Sequence, residues 1–146
     1  LFTKKIIYYT ITLERMNMLV GTYNLKVKKR KVVIPSKMLS ELSDDVYIGI
    51  NNEKIIYIIN HDQLEEFSTR TDLTKFRFLL SVNINESGVI DIPIKFYEHA
   101  YIKDKCIIIG VGDHAELWNP VLWKQFTDDF EAHKDEYLKN LNNLVL

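Results

Sequence analysis

Lys31-Val32-Val33-Ile34-Pro35-Ser36-Lys37-Met38 lies over Val89-Ile90-Asp91-Ile92-Pro93-Ile94-Lys95-Phe96, with proline and lysine in register. Outward from that pair the correspondence continues. Ile48-Gly49-Ile50 matches Ile109-Gly110-Val111. Ile58-Ile59-Asn60, followed by Leu64 and Phe67, matches Leu117-Trp118-Asn119, followed by Trp123 and Phe126. The offset drifts only from 58 to 61 residues. A proline, a glycine, an asparagine and an aromatic recurring at one near-constant offset identify an internal duplication.

Each copy has a readable architecture. Leu25 and Val27 precede a basic cluster and Val32 to Ile34 follow it, so two short strands flank a turn. Val82 and Ile84, the turn Asn85-Glu86-Ser87-Gly88, and Val89-Ile90 repeat that layout, with asparagine and glycine supplying turn chemistry. Pro35 and Pro93 end the strands. Met38, Leu39 and Leu42, and in the second copy Phe96, Tyr97 and Ala100, follow at helical spacing. A second strand pair comes next, Val46–Ile50 with Ile55–Ile59, and Cys106–Val111 with Ala115–Trp118. Asn60 and Asn119 read as helix N-caps, with Pro120 suited to the first helical position. The last helix reads as one piece from Pro120 to about Asn143, with an apolar stripe of Leu122, Phe126, Phe130, Tyr137 and Leu141.

One such unit of about 50 residues buries little core alone, whereas two can intertwine. The expected organisation is therefore a first repeat over 18–67, a helical connection over 68–81, a second repeat over 82–126 and a C-terminal helix over 127–146. Residues 1–17 read as a non-core extension ahead of Met18. The alternative there is an added edge strand from Lys5 to Leu13, on the β-propensity of Ile6 to Thr12.

Composition bounds the chemistry. Of 146 residues, 47% are apolar and 27% charged, an ordinary globular balance. The net charge is −1, but its distribution is uneven. Six of the 19 basic residues (Lys26, Lys28, Lys29, Arg30, Lys31, Lys37) fall between Asn24 and Lys37 with no acid among them, leaving 13 against all 20 acidic residues elsewhere. A compact positive spot on an acidic body suits phosphate attraction. The lone Cys106 excludes an intrachain disulfide and reads as a small buried hydrophobe. No apolar run approaches the roughly 18 residues that span a bilayer, and no Gly-rich phosphate loop, nucleophile elbow or catalytic carboxylate pair is present. His114 with Glu116, and Asp129 with His133, each offer half a metal site at most, and both pairs read as surface positions. Trp118 and Trp123 fit packing better than base stacking.

The repeat, together with Gly21-Thr22-Tyr23-Asn24, the Val32–Pro35 strand, the second turn running into Ile92-Pro93, and Ala115-Glu116-Leu117-Trp118, resembles the MraZ family, bacterial transcriptional regulators of the division and cell-wall gene cluster. The likeness covers nearly everything from Met18 to Phe130, and the short, divergent form looks like a wall-less bacterium's version. It implies an α+β, mainly β fold, the AbrB-like swapped-hairpin, double-split β-barrel, with a C-terminal helix added. It also implies a ring of subunits that binds direct repeats in promoter double-stranded DNA, cytoplasmic and nucleoid-associated. No enzyme activity, cofactor, metal, membrane or small-molecule substrate is expected. The family's signature is an Asp-x-x-x-Arg loop in each half, usually with glycine before the arginine. Here Lys31 takes the first arginine position, Arg30 the glycine position and Val27 the aspartate position, with a one-residue deletion nearby. The second loop keeps Gly88, with Val89 at the arginine and Asn85 at the aspartate position.

The expected DNA-binding residues are therefore Lys28, Lys29, Arg30 and Lys31 at the first turn. Lysine meets phosphate as a point charge and arginine can bridge two acceptors on guanine, so much positioning and modest base readout follow. The second turn carries Glu86 and no base, and reads as structural. The rival reading from another class is an oligomeric interaction or scaffold protein of the same fold that has lost DNA recognition.

Overall fold

The apolar run Ile55-Ile56-Tyr57-Ile58-Ile59 has no polar alternation, which marks a strand covered on both faces. The computed structural model describes residues 19–145 and places this run near the middle of the molecule. The expected extension over 1–17, with its edge-strand alternative, lies outside the described residues. The elements run β1 (Leu19–Lys26), β2 (Lys31–Val33), α1 (Ser36–Leu39), β3 (Asp45–Ile50), β4 (Ile55–Asn60), α2 (Leu64–Ser68), β5 (Phe78–Asn83), β6 (Val89–Asp91), α3 (Ile94–His99), β7 (Lys105–Gly112), β8 (Ala115–Trp118), α4 (Pro120–Ala132) and α5 (Lys134–Val145). Short 3₁₀ turns at His61–Gln63 and Leu73–Lys75 complete them.

Six strands form one sheet in the order β1-β7-β8-β4-β3-β5, and β2 pairs with β6 in a separate ribbon. The strands flanking each expected turn do not pair with each other. β1 instead lies antiparallel to β7 of the other copy, and β5 to β3. The two copies thus exchange strands about a pseudo-two-fold axis. Val32 faces Ile90 across the ribbon, and Tyr57 faces Glu116 across β4 and β8; both are pairs of equivalent residues. Neither sheet closes on itself, so the architecture is an open mixed α+β, mainly strands.

Alternate residues of the large sheet feed two cores. Val46, Ile48, Ile56, Ile58, Ile108 and Leu117 face the ribbon, α1 and α3, packing on Val32, Ile34, Ile90, Ile92 and Phe96. Ile55, Tyr57, Ile59, Ile109 and Trp118 face the other way, onto Phe67 and Phe126. Each fully buried isoleucine contributes about 1.5–3 kcal/mol of apolar transfer. Cys106 is buried within the first core, where burial pushes its thiol up to about 12.

Three expectations are corrected by local physics. After Ser68 closes α2, the connection up to 81 is helical only at Leu73–Lys75, where the Asp72 carboxylate accepts from the Thr74 amide at 3.0 Å. Residues 78–81 already belong to β5, because β3 offers them a backbone ladder from Ile50 to Asp45. The single C-terminal helix is two, broken at His133, whose backbone (φ −122°, ψ 18°) leaves helical geometry. Asn60 caps nothing with its side chain; its Oδ1 accepts from the Ser43 amide at 2.8 Å and its Nδ2 donates to the Glu41 carbonyl. Asn119 does cap, accepting from the Val121 and Leu122 amides.

Candidate nucleic-acid interface

Lys28 and Lys31 exchange both backbone hydrogen bonds, at 3.0 and 2.9 Å, and so close a two-residue turn over Lys29 and Arg30. Both central residues have positive φ, 51° and 64°, the pattern of a type I′ turn, whose backbone suits glycine and asparagine. The second turn shows the alternative chemistry. There Gly88 adopts φ 77° and the Asn85 side chain accepts from the amides of Ser87 and Val89. The repeat superimposes Gly88 on Arg30, so one left-handed position is filled by glycine in one copy and by arginine in the other. The carbonyl of Arg30 is held by the Tyr97 hydroxyl at 2.9 Å and the Ile92 amide at 3.2 Å. The second turn keeps the backbone half of this arrangement, with the Ile34 amide donating to the Gly88 carbonyl at 2.8 Å.

The structure brings all four expected site residues together, and all four are exposed. Lys28 and Lys31 sit directly opposite one another, a like-charge pair that costs stability. Lys31 is drawn aside by Asp91, its partner across the ribbon, at 3.0 Å. Both members are more than half exposed, so this pair is worth little. On one side of the turn lies a groove of about 590 Å³ whose charged lining is Lys26, Lys28, Lys29 and Lys31. On the other side, a cavity of about 470 Å³ lies between Arg30, Ile94, Tyr97 and Tyr101, with Lys103, Glu98 and Asp104 also lining it. The two turns lie at opposite ends of the β2–β6 ribbon, because Lys31 pairs with Asp91 at one end and Val33 with Val89 at the other.

A second constellation overturns the surface reading of His114 and Glu116. Both are buried, with Asp113 beside them. His114 Nδ1 lies 2.7 Å from Asp113 and its Nε2 lies 2.6 Å from Glu116. Arg70 donates to the other Asp113 oxygen at 2.8 Å, and the Trp118 indole donates to Glu116 at 2.9 Å. Burial alone would lower the His114 pKa, but the hydrogen bonds and charges of Asp113 and Glu116 outweigh it and raise it. Both ring nitrogens thus face carboxylate oxygens, an arrangement that favours the protonated ring. Alternation of His114 and Glu116 with Ala115 and Leu117 has the pattern of a solvated face, but β8 sits between β4 and β7, and the Phe67 ring of α2 and the Tyr57 ring of β4 pack on His114. The other pair, Asp129 with His133, lies at the surface of α4 as expected. Among the described residues no group of three or more His, Cys, Asp or Glu is arranged to hold a metal ion.

The family described as "MraZ protein, putative antitoxin-like" matches residues 80–141. Proteins named "Transcriptional regulator MraZ" align over almost their whole length. The one from Alkaliphilus oremlandii is 32% identical over 141 residues, covering 87% of this chain and 99% of that protein. The one from Limosilactobacillus reuteri is 30% identical over 139 residues, covering 86% and 98%. The chain belongs to the MraZ family. A third MraZ relative, from Thermoanaerobacter pseudethanolicus, is 30% identical over 141 residues. Against the MraZ signature, this member keeps the left-handed backbone at both glycine positions but the glycine itself only at 88. No helix among its described residues is long and apolar enough to cross a membrane.

Proposed function

We propose that this MraZ-family chain is a sequence-specific DNA-binding transcriptional regulator. It uses Lys28, Lys29, Arg30 and Lys31 to engage promoter direct repeats in double-stranded DNA, upstream of a division or cell-wall gene cluster. It acts in the cytoplasm, on the nucleoid, as a ring of identical subunits, with residues 18–67 and 82–126 as the two halves of an AbrB-like double-split barrel flanked by the 68–81 connection and the C-terminal 127–146 segment. The observation that carries this reading is the first turn. It holds two non-glycine residues in the left-handed region and opposes two lysines, features that cost the fold stability. Such a turn is favoured where a partner supplies the compensating charge. Cations at its tip release counterions from the duplex, and repetition around a ring multiplies modest contacts by avidity.

A mobility shift on the promoter region tests it. The Lys28/Lys29/Arg30/Lys31→Ala variant should lose binding by orders of magnitude at about 50 mM salt and by less at about 200 mM. Unchanged binding by that variant removes the site assignment. The second turn, where Glu86 stands and no basic residue does, favours the scaffold reading instead; an unaltered protein that assembles but binds no repeat-bearing DNA would establish that alternative.

A further inference from the structure

We infer that the DNA-facing surface continues past the turn onto Lys26 and Lys105, which form a phosphate-binding bank beside the tip. This rests on the reading just given and specifies its contact set. Lys26 ends β1 and Lys105 begins β7, and the two are direct partners across the antiparallel ladder. The β-carbons of such partners stand on the same face about 5 Å apart, so two exposed lysine side chains start from neighbouring points on one face. Among the described residues, neither lysine has a carboxylate within ion-pair distance. Lys26 also lines the groove that Lys28, Lys29 and Lys31 line, and no acidic residue reaches that groove. The Val27 amide donates to the Asp104 carbonyl at 2.9 Å, which ties the start of β7 to the base of the turn. A cluster of cations in which only Lys31 has a carboxylate partner, and that one exposed, suits a row of phosphates, which needs charge and no hydrogen-bond code.

Lys103 differs, although it is close in sequence. It lines the cavity on the opposite side of the turn, together with Glu98 and Asp104, whose carboxylates repel phosphate. The asymmetry makes the inference selective. The bank is one-sided, and the duplex backbone follows the Lys26–Lys28–Lys31 side.

Salt titration of binding by fluorescence anisotropy decides it, with the full chain, a repeat-bearing duplex and a scrambled duplex of equal length. Each phosphate that a variant no longer neutralises should make the slope of log K against log salt shallower by about 0.9. Lys26→Ala and Lys105→Ala should each give that decrement and leave the ratio of repeat to scrambled affinity unchanged. Lys103→Ala should leave the slope as it was. Thermal melting and size of each variant, equal to those of the parent, exclude misfolding. Should Lys26→Ala and Lys105→Ala keep the parental slope, or should Lys103→Ala lower it as much, the bank is wrong while the regulator reading stands. If the parent binds neither duplex, the regulator reading itself fails.

Discussion

Arg30 stands where the equivalent position of the other copy holds Gly88, at nearly the same φ. For an L-residue with a side chain the left-handed region costs roughly 1 kcal/mol, whereas glycine enters it freely. Glycine also loses more chain entropy on folding, which offsets part of that gain. Arg30→Gly should therefore raise stability by about 0.5 kcal/mol, read as a small increase in the urea midpoint, while weakening repeat DNA binding in a mobility shift. A variant that loses stability would mean that the guanidinium is part of the fold. Tyr97 and Ile92, which grip the Arg30 carbonyl, keep the turn in place whichever residue occupies it. The trade of stability for a charged tip thus lives on one residue.

At the scale of elements, the β7–β8 hairpin carries a cost of a different kind. Asp113, His114 and Glu116 are withdrawn from water and are tolerated because each is hydrogen-bonded, with Arg70 reaching in from the segment after α2. Removing one member of such a network costs about 3–5 kcal/mol, and His114→Ala should show it in urea unfolding near neutral pH. The His114 pKa is raised in the folded state. Its contribution is thus complete below its ordinary value near 6.5 and is lost as pH rises through the folded value. The parent should lose stability on that alkaline climb and His114→Ala should lose less; equal slopes in both would show that the imidazole does not titrate with folding. This hairpin also marks where the sequence stops being readable. Strands, turns and the repeat were legible because period-2 alternation, Pro35, Pro93 and Gly88 act locally. The burial of His114 and Glu116 was not, because it depends on Phe67 and Tyr57 packing on His114 and on β8 lying between two strands, facts of contact between distant segments. The same reason hid the exchange of β1 and β5, the start of β5 inside the expected helical connection and the approach of Lys105 to Lys26. The break at His133 had no proline or glycine to announce it.

Across the whole molecule, duplication makes two ends that share one left-handed position and are opposite in charge. The first turn, with Lys26 and Lys105 near its base, is a cationic end. At the other end of the ribbon the second turn carries Glu86, and Asp44 accepts through its carbonyl from Ile84, just before that turn, with Asp45 and Asn83 paired beside it. The pseudo-two-fold axis therefore relates the strands but not the potentials, and on the proposed reading one end meets a polyanion and the other does not. If charge alone sets that polarity, it can be overwritten without disturbing the fold. Asn85 must remain for its two side-chain hydrogen bonds and Gly88 for its φ of 77°, which leaves Glu86 and Ser87, both exposed, free to change. Glu86→Lys with Ser87→Lys should leave melting within about 0.5 kcal/mol of the parent, as surface substitutions do. Binding to a scrambled duplex should strengthen, with a salt slope steeper by up to about 1.8. Discrimination in favour of the repeats should fall, because the new contacts are to phosphate alone. An unaltered slope from a folded double-lysine variant would mean that the second end is held away from DNA by the way subunits assemble, and polarity would then belong to the assembly and not to the charge pattern of the single chain.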